Sequence, residues 1–594
     1  MKDKKYEVIV VGGGMSGVCA ALASARGGAK TALIQDRPVL GGNASSEIRM
    51  HICGATHHGQ RENARETGIL EEILLENRAR NPQHSFSVLD TVLWEKVMKQ
   101  ENLDLFLNTR VTDVKAEKGK ICCLYAQQMT TERDYEFSGK IYIDCTGDGM
   151  IAARGGAAWR QGREGQEEFG EQYAPVQPDA GTMGNSLMFK TIDMGHPVPF
   201  QKPEWAYEYQ EEDLIYRGHG SHGPEKDHFD IESGYWWIEL GGTENTIDDA
   251  EQIRDELLKT LYGVWDHIKN KGDHGAENYA LDWVQFLPGK RESRRIEGDY
   301  FLKEQDLLEG KVFEDAVAYG GWPMDMHPPQ GFLFSGDPTR YIDLKKVYTI
   351  PYRCYYSKNI TNLMMAGRNI SATHMAFGST RVMGTCAVGG QAAGTAAAMA
   401  VEKDCTPREI GRLFIKQLQR RLMRDDCYLP GYVNEDPDDL IRTAKEIQCS
   451  TQSAGGEAEK IRDGHQRNEN GQIHQWISQK MDGKEQWISV KLSEKQKLKE
   501  IHIKFDTDLT TEIEPTLSGP IRRKQRPGLP YSLVKQYKVE LCKDGEKVWE
   551  EFVDNNCQRF CIHHPNAEAD TIRIEIRDTW GCDNAKIFEI RAYA

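Results

Sequence analysis

Residues 6–47 read YEVIVVGGGMSGVCAALASARGGAKTALIQDRPVLGGNASSE, and this stretch is the strongest indication of the fold class. Residues 6–11 form a short apolar run that is typical of a buried parallel strand. The run leads into Gly12, Gly14 and Gly17 at the G-x-G-x-x-G spacing, followed by a small-residue helix and a second strand over residues 31–34. The first glycine allows a tight turn, the second lets backbone approach a pyrophosphate, and the third lets the helix pack against the strand. The stretch therefore predicts a dinucleotide-binding unit whose helix N-terminus faces the phosphates.

A second glycine pair indicates which dinucleotide is bound. Residues 38–43 read PVLGGN, which is similar to the extended signature of the two-dinucleotide-binding flavoproteins, where this segment lines FAD. The position of the usual ribose-binding carboxylate holds Gln35, followed by Asp36, and a glutamine can still accept a hydroxyl hydrogen bond. We therefore predict FAD as the cofactor, contacted in this part of the chain by Gly12, Gly14, Ser16, Gly17, Gln35, Asp36, Arg37, Gly42 and Asn43.

Two later segments resemble further nucleotide-contacting motifs of the same superfamily. In such flavoproteins a strand like the one ending near Val111 passes the adenine. Residues 140–149, KIYIDCTGDG, predict a strand followed by a turn. The resemblance implies cofactor contacts from Thr146, Gly147 and Asp148 in that turn.

A third segment returns the chain to the cofactor. Residues 362–369, NLMMAGRN, predict a strand ending in Ala-Gly, where the superfamily commonly has an Asp that binds the ribityl chain. Here Arg368, Asn369 or the backbone around Gly367 must take that role. A long Ala/Gly helix follows, and its first residues, Val382 and Met383, are expected to turn their N–H groups toward the flavin.

Together, residues 6–47, 141–156, 284–300 and 362–399 resemble the FAD-dependent oxidoreductase family related to the flavoprotein subunit of heterodisulfide reductase. The resemblance covers about residues 1–425 and implies FAD and redox chemistry without naming a substrate. Heterodisulfide reductase subunits also carry iron–sulfur clusters on closely spaced cysteines. The fourteen cysteines of this chain include no C-x-x-C pair, so no cluster is expected.

Composition limits the partners. The chain has 594 residues, a formal net charge of −16 and a pI of about 5.6. Two or three domains are expected at this length, and the negative charge argues against nucleic acid or an anionic membrane as a partner. The sequence contains no run of eighteen apolar residues, and its N-terminus leads straight into the first strand. We therefore expect a cytoplasmic protein with reduced thiols, and the sequence leaves its oligomeric state open.

The predicted fold is α/β. It consists of a two-dinucleotide-binding-type FAD domain, an inserted α+β substrate cap domain and a C-terminal antiparallel β-sandwich. The FAD domain is assigned to residues 1–155 and 346–425, the cap to residues 156–345 and the sandwich to residues 446–594. The sandwich is predicted from five alternating runs, EQWISVKL, LKEIHIKF, QYKVEL, DTIRIEI and IFEIRAY, whose order looks like a galactose-binding, discoidin-type module.

Aromatic side chains mark the predicted cap. A helix with an apolar stripe places Trp265 in the core. The triplet Tyr235, Trp236 and Trp237 is not periodic, and it lines either the core or the substrate pocket.

Chemistry at a flavin needs an acid or base near the reacting atom and often a cation that holds the substrate. His374 lies between the Ala-Gly strand end and the long helix, where the chain is expected to cross the flavin. It is the first candidate for the acid or base, and the alternative is an ordinary loop histidine. Arg381 at the start of the helix carries a charge either to the flavin or substrate, or to an internal salt bridge.

Other charged groups are weaker candidates. Residues 288–298, PGKRESRRIEG, lie either on a solvated face or bring Arg291 or Arg294 to the pocket. His51 follows the Gly-Gly turn in strand-like alternation with Glu47 and Arg49 and is expected on the substrate side. A separate group of polar residues matches no standard metal spacing, so no metal site is predicted: His219, His222, His228 and Asp230.

Three functions remain open on this evidence. The first is oxidation of a small hydroxyl-rich substrate, such as a sugar or glycoside, by hydride transfer to FAD. The second is a fumarate-reductase-like reduction of an unsaturated acid through His374 and arginines. The third is an electron-transfer or carbohydrate-binding protein in which FAD is structural.

Overall fold

A computed structural model describes residues 1–219, 230–272 and 274–594. The chain divides into two compact units. The first unit consists of Met1–His57, His84–Leu418 and Glu514–Gln525, and the second of His58–Gln83, Gln419–Ile513 and Arg526–Ala594. Within the described ranges, no helix is both long and apolar enough to cross a membrane.

A five-stranded parallel sheet, called here the nucleotide sheet, organises the first unit. Its strands lie in the order Leu363–Met365, Ile141–Asp144, Val8–Val11, Thr31–Ile34 and Leu103–Phe106. The two strands predicted from residues 6–47 are therefore confirmed as neighbours at its centre. Every residue of both is buried, as expected for parallel strands covered on both faces.

Two helices of the first unit pack against each other through glycine contacts. The first helix, Met15–Arg26, follows the glycine turn, and the long helix is Met383–Glu402. A Cβ added to Gly390 would lie 2.1 Å from the Ser16 carbonyl oxygen, and one added to Gly394 would lie 2.1 Å from that of Ala20. The Ala/Gly composition of the long helix therefore lets the two backbones approach each other, and the shared offset of the two pairs makes the helices parallel.

The first unit also contains further sheets and helices. A four-stranded sheet has the order Lys2–Lys5, Arg133–Ser138, Lys120–Gln128 and Thr109–Glu117. A three-stranded sheet has the order Glu239–Leu240, Asn185–Ser186 and Gly289–Lys290. Two-stranded sheets pair Phe189–Asp193 with Tyr279–Val284, Arg295–Ile296 with Trp159–Arg160, Ala316–Gly320 with Tyr348–Pro351, and Met324–Met326 with Arg340–Ile342. The other helices are Phe86–Met98, Met150–Arg154, Gln166–Phe169, Ala250–Asp266, Glu304–Leu308, His374–Thr380, Pro407–Leu413 and Gly519–Lys524. The helix Ile415–Arg424 contains the boundary between the two units.

The predicted cap region is built around the helix Ala250–Asp266. Trp265 is buried in its core, as predicted. Tyr235 and Trp237 belong to the same core, and Tyr235 stacks on Phe189 with ring centroids 4.0 Å apart. These two members of the aromatic triplet are therefore packing residues rather than a pocket lining. The domain boundaries at residues 155, 345 and 425 stay predictions.

The second unit contains two antiparallel sheets. One has the order Glu446–Cys449, Gln486–Leu498, Ala567–Thr579, Val534–Lys543 and Glu546–Val553, and the other Trp476–Ile477, Lys586–Tyr593, Glu500–Phe505 and Phe560–His563. All five strands predicted from the alternating runs are present. Phe505 of one sheet contacts Tyr537 of the other, with ring centroids 5.0 Å apart, so the sheets pack face to face as a sandwich.

The second unit also includes a segment from early in the chain. The helix Ile69–Arg80 belongs to it, and the buried Arg65 pairs there with Glu71 at 2.7 Å. The Arg65 guanidinium also donates to the Thr507 carbonyl oxygen at 3.0 Å. The unit is therefore not the contiguous C-terminal tail that the alternating runs suggested.

Candidate cofactor and active site

Two glycines of the turn are required by the protein itself. Gly12 has φ +101°, and a Cβ there would lie 2.2 Å from the Cys145 carbonyl oxygen. A Cβ at Gly17 would lie 1.8 Å from the Gly12 carbonyl oxygen. Both positions are closed by backbone, which cannot move aside as a flexible side chain can. Gly12 thus makes the tight turn, and Gly17 allows the helix to pack close to it.

Gly14 is different, because the space beside it is open. It is the N-cap of the first helix, no side chain caps that end, and the nearest atom to an added Cβ is the Gly42 Cα at 3.9 Å. Ser16 is buried in the first turn, and its hydroxyl makes no hydrogen bond to nitrogen or oxygen in the described part of the chain. An open cradle, an uncapped helix N-terminus and an unused hydroxyl fit a pyrophosphate. These residues therefore fit FAD.

Gln35 supports the glycine turn. Its side-chain oxygen accepts a hydrogen bond from the Gly13 N–H at 2.7 Å, and its amide donates to the Val39 carbonyl oxygen at 3.4 Å. Asp36 is the more exposed of the two ribose candidates. Arg37 lies 3.3 Å from the Glu47 carboxylate.

The predicted adenine strand lies beside this segment. The Thr109 N–H donates to the Gln35 carbonyl oxygen at 2.8 Å, and the Asn108 N–H donates to that of Arg37 at 3.2 Å. Val111, two residues further along the same strand, is buried. The start of the strand that contains Val111 therefore lies beside residues 35–37, which follow the carboxyl end of the strand Thr31–Ile34.

Asp148 is the centre of a partly buried ion-pair group. Its carboxylate accepts hydrogen bonds from Lys290 at 2.8 Å, Ser293 at 2.7 Å and Arg368 at 2.8 Å. Burial opposes ionisation of Asp148, but Arg368 and Lys290 hold the pKa of its carboxyl well below its usual range. Arg368 therefore braces the Thr146–Gly147–Asp148 turn, and a Cβ at Gly147 would lie 2.7 Å from its guanidinium carbon.

The Ala-Gly strand end reaches the first helix. Gly367 has φ +109°, and its added Cβ would lie 3.6 Å from the Ser16 Cβ. Asn369 donates to the Asp144 carbonyl oxygen at 3.1 Å, which fixes the loop to the nucleotide sheet. Val382 is the N-cap of the long helix, and Met383 is its first residue. Asn43, beside Gly42, donates to the Lys290 carbonyl oxygen at 3.3 Å.

His374 is the first residue of the helix His374–Thr380 and is buried. Its Nδ1 lies 3.0 Å from the Glu292 carboxylate, and its backbone N–H donates to Glu164 at 2.8 Å. Arg295 pairs with Glu164 at 2.8 Å and lies 3.5 Å from Glu292. The ring's other nitrogen, Nε2, makes no hydrogen bond with the residues that the structure describes. The histidine is thus oriented through one nitrogen and available through the other.

Arg381 forms an internal salt bridge, which was the alternative reading of its sequence position. It pairs with Asp325 at 2.7 Å. A second arginine, Arg291, lies 3.2 Å from Glu239, and His327 bridges the two carboxylates at 2.7 and 3.2 Å. Both arginines are therefore neutralised inside the protein.

The charge run at residues 288–298 is buried rather than solvated. Glu292 and Arg295 are almost fully inaccessible. Arg294 has no carboxylate partner among the described residues; it lies over the Trp159 ring at 5.1 Å and donates to the Asp148 carbonyl oxygen at 3.4 Å. His51 is half-buried on the segment after the Gly-Gly turn, where Arg49 lies over the Trp283 ring at 4.3 Å.

The sequence did not indicate which carboxylates contact the candidate catalytic residues. Glu164, Glu292, Glu239 and Asp325 are buried and contact the candidate bases and cations. Glu292 lies inside the charge run of residues 288–298. Its role could have been inferred from the sequence only by assuming that this run is buried. Two residues of the polar group for which no metal site was predicted, His222 and His228, lie outside the described residues. Asp230 of the same group accepts a hydrogen bond from the Ser233 N–H at 3.1 Å.

Comparisons with known proteins cover two parts of the chain to different extents. Residues 7–422 match the family described as FAD dependent oxidoreductase. Two solved structures resemble a smaller part: a Streptococcus pneumoniae fucose binding module, SpX-3, at 16% identity over 26% of this chain and 97% of that chain, and the family 32 CBM from C. perfringens NanJ in complex with galactose, at 16% identity over 26% and 98%. The TM-score is 0.20 for both, and a likeness at that level carries no argument about this chain.

Proposed function

The chain belongs to the FAD dependent oxidoreductase family, and from this premise we propose that it oxidises a small hydroxyl-rich substrate, such as a sugar or glycoside, by hydride transfer to FAD. The observation that carries this proposal is the buried pair of His374 and Glu292, 3.0 Å apart, in a site whose arginines Arg381 and Arg291 are already neutralised. A substrate without charge suits such a site.

The cofactor arrangement is of the two-dinucleotide-binding type. Gly14, Ser16 and Gly42 would hold the pyrophosphate, and Asp36 and the strand of Val111 would hold the adenosine part. The parallel register of the two helices places Met383 six residues, or about 9 Å, ahead of the start of the first helix. The N-terminus of the long helix therefore lies beyond the glycine turn, where Val382 and Met383 would contact bound FAD. When bound, FAD supplies the acceptor for a hydride.

His374 acts as the general base. A carboxylate can only accept a hydrogen bond, so the contact with Glu292 places a proton on Nδ1 and leaves the lone pair on Nε2. Nε2 takes the hydroxyl proton of the substrate as the carbon loses its hydride, and the alcohol becomes a carbonyl compound. The resulting imidazolium is stabilised by Glu292, which Arg295 and the Met183 N–H keep in place. Base catalysis of this kind is worth about 10²–10⁴ in rate.

The fumarate-reductase-like alternative needs cations that hold a carboxylate. Arg381 and Arg291 each face a buried carboxylate of the protein, so neither offers its charge to a substrate. Arg294 alone among the arginine candidates lacks such a partner in the described chain. A single stacked arginine favours binding of a neutral hydroxyl compound over a dicarboxylate.

We expect the reduction and reoxidation of the bound flavin to distinguish between the three functions. Anaerobic mixing of the oxidised protein with a panel of sugars, glycosides and polyols should bleach the flavin absorbance with at least one compound. The reduced protein should not be reoxidised by fumarate or related enoates. Reoxidation by enoates without bleaching by any hydroxyl compound would support the reductase instead. A flavin inert to both panels would leave the structural or electron-transfer role.

A further inference from the structure

A second cluster of polar side chains lies in the first unit, outside the site described above. The histidine cluster consists of Glu211, His219, His267 and His274. Glu211 opens the short turn Glu211–Leu214, and His267 opens the π-helical turn His267–Lys271 that follows the helix Ala250–Asp266. The three imidazoles are only 1–2% exposed. The π-helix is rare, and its single turns within α-helices are frequent at functional sites.

The ligand atoms of the histidine cluster converge on one point. His267 Nε2 lies 3.0 Å from Glu211 Oε2 and 3.1 Å from His274 Nε2. His219 Nε2 and His274 Nε2 each lie 3.6 Å from Glu211 Oε2, and all four atoms are within 4.8 Å of one another. Ligands of a tetrahedral zinc ion with bonds of about 2.0–2.1 Å stand about 3.3 Å apart. The observed separations bracket that value.

Backbone carbonyls fix the ring nitrogens that point inward. His219 Nδ1 lies 2.5 Å from the Arg217 carbonyl oxygen, and His267 Nδ1 lies 3.2 Å from that of Tyr209. A carbonyl oxygen only accepts, so Nδ1 carries the proton in both rings and each neutral ring turns the Nε2 lone pair toward Glu211. His219 Nε2, fully buried, has no hydrogen-bond partner in the described part of the chain. Lone pairs facing a carboxylate repel it unless a cation lies between them.

A proton is the weaker candidate for that cation. All three imidazoles are buried, and burial disfavours a charged ring. Three buried rings also share the one carboxylate of Glu211, so at most one imidazolium would be neutralised. A divalent metal ion satisfies the Nε2 lone pairs of His219 and His267 and the Glu211 carboxylate at once, and His274 Nε2 is within reach of the same ion. Hydrogen bonds from ligand Nδ1–H groups to backbone carbonyls are the usual support of metal-binding histidines.

We propose that Glu211, His219, His267 and His274 bind one Zn²⁺ ion as a tetrahedral site. Three imidazole nitrogens and one carboxylate oxygen are a ligand set that zinc prefers, and four protein ligands make the site structural rather than catalytic. The ion ties the 211–219 segment to the C-terminal end of the helix Ala250–Asp266. Gly272 is adapted to this arrangement, because a Cβ there would lie 2.1 Å from His274 Nε2.

Zinc binding tests the proposal with two variants that spare the buried rings. Purified full-length protein, stripped with a chelator and given Zn²⁺ alone, should bind about one ion per chain in competition with a chromophoric chelator. Glu211→Gln replaces the carboxylate of a side chain that is 59% exposed by a neutral amide, so folding should persist. Zinc affinity should fall by more than the about 10–100-fold that changes outside the ligand shell cost. Gly272→Ala should weaken binding through His274. His196→Ala, an exposed histidine of the same unit, is the matched control and should bind as the wild type does.

Cobalt provides an independent measurement. Co²⁺ in place of Zn²⁺ should give the strong visible bands of a tetrahedral ion in the wild type and His196→Ala, and lose them in Glu211→Gln. Flavin content should be equal in all four proteins. Failure of the stripped wild type to bind Zn²⁺, or equal affinity in Glu211→Gln, Gly272→Ala and wild type, would overturn the proposal. An octahedral Co²⁺ spectrum would exclude this ligand set.

Discussion

Replacement of His374 by glutamine is expected to slow reduction of the bound flavin by substrate about 10²–10⁴-fold, the usual worth of a general base. Glutamine can still donate one hydrogen bond to Glu292, so the carboxylate does not lose its partner. Glu292 also keeps the Met183 N–H at 2.9 Å and Arg295 at 3.5 Å. What the variant lacks is the Nε2 lone pair. FAD content and thermal unfolding should therefore remain close to those of the wild type.

The measurement is anaerobic stopped-flow bleaching with the best compound from the hydroxyl panel. The matched control is His563→Gln in the second unit, because His563 is also buried and its Nδ1 also lies 3.0 Å from a carboxylate, that of Glu551. The control should reduce at the wild-type rate. An unchanged rate in His374→Gln would remove His374 from the mechanism, and Arg294 and His51 would be the next positions to substitute.

Alanine at Gly17 and alanine at Gly14 are expected to fail in different ways. A Cβ at Gly17 would lie 1.8 Å from the Gly12 carbonyl oxygen, and no side-chain movement can relieve a clash with backbone. The variant should not form a folded nucleotide sheet, because overpacking already costs about 1–3 kcal/mol where side chains can adjust. A Cβ at Gly14 meets no protein atom closer than 3.9 Å. That variant should fold, with its methyl group in the cradle that we assign to the pyrophosphate.

Flavin content and thermal unfolding distinguish the two outcomes. Gly14→Ala should unfold in a cooperative transition like the apoprotein and retain less than about a tenth of the wild-type FAD, a loss of at least about 1.4 kcal/mol in binding. Gly17→Ala should give little soluble protein. Stoichiometric FAD in Gly14→Ala would show that the pyrophosphate does not lie beside Gly14.

Local patterns predicted the parts of the fold that depend on neighbours in sequence. The glycine spacing of residues 12–17 and the apolar runs on either side specify a strand, a turn and a helix within thirty residues, and the structure has them. Strict alternation predicted all five named strands of the sandwich, because the period of two is read over a few residues. Trp265 was assigned to the core from its phase on one helix, and it lies there.

Contacts between distant segments could not be predicted in this way. Glu292 and His374 meet across 82 positions, and the charge run that contains Glu292 has no local feature that separates a buried pair from a solvated face. The helix Ile69–Arg80 gave no sign that it belongs with strands more than 370 residues later. The histidine cluster could not be predicted from the sequence for the same reason, since only the fold brings His219 and His267 together.

The central claim is that this chain is an FAD enzyme whose cofactor is bound at the turn of Gly12, Gly14 and Gly17. The direct measurement is the identity and amount of flavin released from the purified, denatured protein after incubation with excess FAD and removal of unbound cofactor. We expect FAD, at about one molecule per chain, by chromatography and mass spectrometry. Release of FMN would contradict this claim. So would the release of no flavin from protein that a cooperative unfolding transition shows to be folded.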